Sequence, residues 1–221
     1  MILAKPAILM AMKKGRIRIA PFCQDNLQNS SYDVTLGPNY YVEQEPTPVL
    51  DALLNPYDEA SVHRMWGPPL TAERLVHALP GIPAGSQVIF MKPGQNILAH
   101  TNEFIGGADL KITTMLKARS SIGRSQITIC RCAGWGDIGF CNRFVLEISN
   151  NGLRSVVLVV GRRIGQVVFL ETTGVKSNDA YFMGGKYQSE DLSSKSLEEL
   201  TALWKPETML PRMWKDVNTL T

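Results

Sequence analysis

Residues 126–149 read QITICRCAGWGDIGFCNRFVLEIS, and this stretch decides the fold class. A short β-prone run lies at each end, Gln126 to Cys132 and Arg143 to Ser149, and Gly134, Gly136 and Gly139 punctuate the segment between them. In the second run Phe144, Leu146 and Ile148 alternate with Val145, Glu147 and Ser149, the period that sends successive side chains to opposite faces of a sheet. The same grammar repeats outward. RIRIAPF, SYDVTLG, SQVIFMK, QNILAHT and DLKITTMLKA precede it and SVVLVV and RIGQVVFLE follow it, at intervals of about ten residues, as in a sandwich or barrel. No strand–helix series alternates along the chain, which argues against a Rossmann-like sheet. The expectation is all-β with a few short peripheral helices.

Three stretches predict those helices. MILAKPAILMAMKKGR places Pro6 in a first turn and Gly15 just past the end. Thr71 to Leu79 reads as a helix capped by Thr71 and stopped by Pro80, and Ser196 to Trp204 as one opened by a Ser196-x-x-Glu199 capping box. Residues 45–83 are proline-rich without a sustained strand pattern, so they read as an inserted loop carrying short helices. The chain is therefore expected to form one domain over residues 1–191, followed by a helical extension over 192–221.

Composition narrows the function classes. With 221 residues, 44% of them hydrophobic, the chain can bury a sizeable core, and disorder is excluded. A net charge of +3 argues against nucleic-acid binding driven by a charge field. The run SVVLVV falls far short of the roughly 20 residues that span a bilayer. The N-terminal apolar stretch ends in Lys13 and Lys14, unlike a cleavage site. Cys23, Cys130, Cys132 and Cys141 do not form a disulfide framework, which points to a reducing, cytoplasmic compartment.

Few local patterns carry chemistry. Arg119-Ser120-Ser121-Ile122-Gly123-Arg124 offers two guanidinium forks, two hydroxyls and a flexible backbone. It is either a phosphate clamp or a solvated polar turn. Glu147 stands on the strand face opposite an apolar row, where it is either solvated or, if that face lines a pocket, fitted by burial for proton transfer. Asp137 lies in a glycine-rich turn. The spacing of Cys130-x-Cys132 puts both thiols on one face of a strand, but the pairs typical of zinc sites are missing and His63, His77 and His100 are scattered. Buried structural cysteines are expected, not zinc ligands.

Taken in order, RIRIAPF, SYDVTLG, AHTNEF, ARSSIGR, AGWGDIGFCNRFVLEISN, GRRIGQVVF and GGKYQ resemble the dCTP deaminase branch of the dUTPase-like superfamily, from Arg16 to Gln188. The resemblance implies a distorted jelly-roll that assembles as a homotrimer with active sites between subunits and without zinc. It implies that Glu147 activates water for attack at C4 of cytosine and carries the proton to the leaving ammonia. By the same resemblance Ser120 and the Ala133 carbonyl are expected to hold that water and Arg124 to orient the glutamate. Arg119, Ser120, Ser121 and Lys186 are expected to contact phosphate, and Gln166, Tyr181, Val145 and Leu146 to lie beside the nucleotide. The pair Gly134-Trp135 resembles the branch that also cuts the triphosphate. There Asp137 sits by the sugar and helps activate water at the α-phosphate, with Mg²⁺ bound through the substrate phosphates. The expected products are dUMP, ammonia and diphosphate; the alternatives are a deaminase releasing dUTP, a dUTPase alone, or a nucleotide-binding regulator without catalysis. The sequence departs from the family pattern at Gly136, Ile138 and Asn142, and at Glu190, which stands where a phosphate-facing glutamine is usual.

Overall fold

Alternation becomes burial in the strand that was read first. Phe144, Leu146 and Ile148 are buried, whereas Val145 and Glu147 on the opposite face stay partly exposed. The computed structural model describes residues 1–47 and 53–216. Among these the strands are β1 (Ile17–Ala20), β2 (Tyr32–Thr35), β3 (Asn39–Val42), β4 (Leu70–Thr71), β5 (Glu73–Arg74), β6 (Gln87–Met91), β7 (Asn96–His100) and β8 (Phe104–Gly107). They continue as β9 (Ile112–Ala118), β10 (Ile127–Thr128), β11 (Trp135–Gly136), β12 (Cys141–Asn142), β13 (Val145–Asn150), β14 (Val156–Val159) and β15 (Arg163–Glu171). The helices are α1 (Lys5–Lys13), α2 (Glu59–Trp66), α3 (Ser120–Arg124) and α4 (Leu197–Leu203). The protein is mainly β, with several antiparallel sheets and few short helices.

Two sheets organise the site. One has the order β10-β13-β7-β3-β4 and the other β11-β9-β15-β2, beside two three-stranded sheets, β1-β8-β12 and β14-β6-β5. Apolar rows from the two larger sheets meet in a single core that includes Leu146, Ile148, Ile97, Leu116, Val167, Phe169 and Tyr32. Truncating one such leucine to alanine costs about 2–5 kcal/mol. Gly37 passes so close to the His100 ring that a Cβ there would lie 2.0 Å from Cε1. Its ring Nδ1 donates to the Thr101 carbonyl and Nε2 accepts from the Asn39 amide, and burial pushes the imidazole down to about 4, so it stays neutral.

The predicted α1 forms with Pro6 in its first turn and Gly15 beyond it at φ +69. The Ser196–Glu199 capping box closes in both directions, at 3.2 and 2.7 Å. Thr71 to Leu79 is not a helix. Leu70 and Thr71 pair with Tyr40 and Asn39, and Glu73 and Arg74 pair with Val88 and Gln87. These pairings satisfy the backbone in an extended form and outweigh a weak helical period. The insertion thus contributes two strands besides α2, whose cap is the Asp58 carboxylate. Its residues 48–52, and residues 217–221 of the extension, lie outside the described residues. Cys130 and Cys132 do not share a strand face either: β10 ends at Thr128, Cys132 turns back at φ +64, and the Arg131 amide donates to a side chain instead of a ladder.

The C-terminal extension lies on the body. Leu192 and Leu200 pack with Phe104, and Met209 and Leu210 pack with Tyr41, Val62, Trp66 and Leu98. Trp204 joins both clusters, its ring centroid 4.4 Å from that of His100 and 4.7 Å from the Arg143 guanidinium carbon.

Candidate active site

The chain gathers the residues singled out in the sequence into three groups. The first surrounds Glu147, on β13 opposite Leu98 of β7. Burial pushes its carboxyl above the usual range, while the Arg131 amide, donating to Oε2 at 3.3 Å, pulls the other way. The Cys130 thiol is also pushed up, by burial first and then by the Glu147 charge, with the Ala133 backbone pulling the other way. Ala133 therefore stands in the loop next to Glu147. A half-buried carboxyl with a raised pKa accepts a proton more readily than a solvated one and returns it at neutral pH. Val145 flanks Glu147 with its side chain packed on the Tyr41 cluster. Leu146 turns its side chain into the core, so what it offers a ligand is its backbone.

The second group centres on Asp33 of β2, only 2% exposed. Its Oδ2 lies 3.3 Å from Arg119 Nε and 3.4 Å from Arg163 NH1. Gln166 of β15 is paired across from Asp33 on one side and Lys117 on the other. Arg119 leads into α3, a single turn that leaves Ser120, Ser121 and Arg124 exposed. Among the described residues no hydrogen bond or ion pair joins Arg124 to Glu147.

The third group lines a cleft of about 750 Å³ that holds Trp135, Asp137, Tyr181 and Lys186, together with Lys215 and Asp216 from the extension. Trp135 is held by β11 pairing with Met115 of β9 and is 53% exposed. Tyr181 rests edge-on against Phe140, which in turn meets Phe144, so the core fixes its ring. Gln188 ties the following segment down by accepting from the Cys141 amide at 2.9 Å and donating to the Gly139 carbonyl at 3.0 Å. Lys186 Nζ meets Asp216 Oδ1 at 2.5 Å, and Arg212 donates to the Lys186 carbonyl at 2.7 Å. Glu190 is not brought to this cleft. It lines a separate cleft of about 160 Å³, and its carboxylate is paired with Lys195 at 3.1 Å.

Sequence reasoning missed Asp33, Arg131, Lys215 and Asp216. Asp33 lies within the quoted SYDVTLG run, where an aspartate amid apolar neighbours was the available signal. Nothing local marks the others, because their partners are distant in the chain. Among the described residues no three or more His, Cys, Asp or Glu side chains gather as a metal site. Likewise no helix is long and apolar enough to cross a membrane.

Compared with known proteins, residues 2–172 match the family described as dCTP deaminase-like. A "dCTP deaminase, dUMP-forming" of Methanosphaerula palustris is 30% identical over 190 residues, covering 86% of this chain and 91% of that one. One of the same description from Methanospirillum hungatei is 33% identical over 172 residues, or 78% and 82% of the two chains. Among solved structures, 2'-deoxycytidine 5'-triphosphate deaminase from Agrobacterium tumefaciens superposes with a TM-score of 0.53 at 19% identity. The match covers 76% of this chain and 47% of that longer one, a likeness of fold.

Proposed function

Because this chain belongs to the dCTP deaminase-like family, we propose that it deaminates dCTP without zinc and hydrolyses the triphosphate, yielding dUMP, ammonia and diphosphate. The observation that carries this reading is Glu147, half-buried beneath the loop of residues 130–133 with its carboxyl pushed up by burial. Ionised Glu147 takes a proton from a water held by Ser120 Oγ and the Ala133 carbonyl. The hydroxide adds to C4 of the cytosine ring while Glu147 passes that first proton to ring N3. The new hydroxyl then gives its own proton, through Glu147, to the amino group, which leaves as ammonia as the C4 carbonyl forms, giving uracil. Arg124 orients the carboxylate and stabilises developing charge. Arg124 and Ser120 share one exposed turn with no hydrogen bond to Glu147 among the described residues, and in the homotrimer that the family resemblance implies a neighbouring copy supplies that turn.

The phosphate end is read from the third group. Trp135 flanks the sugar, and Asp137 activates a second water for attack at the α-phosphate, releasing diphosphate. From the second group Arg119 joins Lys186 in balancing the phosphate charge while Ser120 and Ser121 donate hydrogen bonds, and Gln166 and Tyr181 line the nucleotide. The donor set suits magnesium that arrives on the triphosphate: Asp137 and Asp216 share the cleft with Lys186 and Lys215, with no carboxylate cage for a resident ion among the described residues. Magnesium on the nucleotide supplies charge neutralisation between the phosphates. Residues 1–191 are taken as the catalytic unit and 192–221 as its extension. The free thiols, with Cys23 and Cys132 exposed, support a cytoplasmic setting.

The test is incubation with magnesium and dCTP while ammonia, dUTP, dUMP and diphosphate are followed together. Ammonia, dUMP and diphosphate in equal amounts are expected. Accumulating dUTP without diphosphate overturns the second step, and hydrolysis of added dUTP with dCTP untouched overturns the first.

A further inference from the structure

We propose that Arg131 is a positioning residue of the deamination site, clipping the loop of residues 130–133 to β13 so that its own backbone N–H is held against Glu147. The inference rests on reading Glu147 as the group that activates water.

The geometry is reciprocal. The Arg131 amide donates to Glu147 Oε2, while its guanidinium donates to Ser149 Oγ from Nε at 3.2 Å and from NH2 at 2.6 Å, and to Asn96 Oδ1. Glu147 and Ser149 are two apart on one strand and share a face, so one residue grips both neighbours, by backbone and by side chain. Asn96 lies across from Ser149 on β7 and accepts its hydroxyl at 2.8 Å, and its own amide donates to Glu43 Oε2 at 2.6 Å. The fork is thereby fixed to two paired strands, whereas an arginine on an exposed loop is ordinarily left to solvent. The clip matters because the loop is otherwise lightly held. It makes a left-handed turn at Cys132, its residues 131–133 are exposed, and its next anchor is the Gly134 carbonyl, which accepts from the Leu116 amide at 2.7 Å. The Ala133 carbonyl rides on the same loop, so its place relative to Glu147 depends on this attachment.

The groups facing Glu147 set the sign of the effect. From the loop come Arg131 and the Cys130 thiol, with Cys132 and Lys117 of β9 acting on that thiol. On β7 the cross-strand neighbour is Leu98, and Glu43, just past the end of β3, reaches the network through Asn96. Removing the clip withdraws a donor and a positive charge from the carboxylate, so its protonated form gains. A base that must be ionised then loses activity on the acid side first.

The experiment follows the Glu147 carboxyl by isotope-edited NMR titration of the full chain, alongside the pH profile of kcat/KM with magnesium and dCTP. Arg131→Gln is expected to move the titration and the acid limb upward together, by about one unit, and to lower kcat at neutral pH about tenfold with KM nearly unchanged. Arg131→Lys, which keeps the charge but not the fork, is expected to recover part of both. Ser149→Ala removes an acceptor while keeping the cation, and serves as the gentler variant if Arg131→Gln is poorly folded; a smaller shift in the same direction is expected. A Glu147 titration unmoved in folded variants overturns the clip, as does Arg131→Lys behaving like Arg131→Gln. A wild type that releases no ammonia overturns the underlying reading, while the titration still decides the clip.

Discussion

The two ends of the candidate site are built from different material. Around Glu147 the floor is sheet: β13 is paired with β7 over its first five residues, Val145 to Ser149, and its apolar face is buried in the main core. Around Lys186 the walls are 3-10 turns and loops, braced by side chains of the extension such as Arg212 and Asp216. Burial shifts the carboxyl at the sheet end, where a strand can hold it out of water. At the loop end, charge is met by opposite charge near the surface, where ion pairs are weak. Proton transfer needs a fixed carboxyl, whereas polyphosphate needs cations that can give up one partner for another. The construction of each end suits its proposed task.

The comparison can be broken most sharply at Glu147. Glu147→Gln keeps shape and removes proton shuttling, so ammonia release is expected to fall by about 10²–10⁴. Nucleotide binding should survive, as calorimetry with dCTP checks; wild-type ammonia release in this variant would falsify the assignment. Asp137→Asn tests whether the ends act separately. Diphosphate formation is expected to fall about 10²-fold while ammonia release falls much less, so chromatography of the products should find dUTP accumulating. Equal loss of both products would merge the two ends into one function. The smallest effect is expected at Asp216. Its pair with Lys186 is about one third exposed on both sides, and such pairs are worth about 0–1 kcal/mol. Asp216→Asn should therefore lower KM for the triphosphate no more than about fivefold and leave kcat alone, as initial rates show; a raised KM would mean that Asp216 helps to hold the substrate.

How much of this was legible depended on sequence distance. The period of Phe144 to Ser149 and the reciprocal signature of Ser196 and Glu199 are local, and both appear in the structure as read. Thr71 to Leu79 misled because its neighbours in space, Asn39, Tyr40, Gln87 and Val88, are far along the chain. The same reason hid Asp33 from Arg163, and Lys186 from Asp216. Glu190 looked like a carboxylate facing phosphate, and only the fold reveals Lys195 beside it. For Leu146 the alternation of the strand already showed that its side chain belongs to the core, so a contact there has to come from backbone.

The contacts around Trp204 bear on what the body would be without its extension. The segment matching the family ends at residue 172, yet Tyr41, Leu98, Trp66 and Phe104 are sealed by side chains from beyond it, namely Leu192, Leu200, Met209 and Leu210. Uncovering a side chain of that size forfeits about 1.5–3 kcal/mol, so cutting this chain before Leu192 would leave Tyr41, Trp66, Leu98 and Phe104 facing water, and the body would then need polar residues at those positions or another surface to cover them.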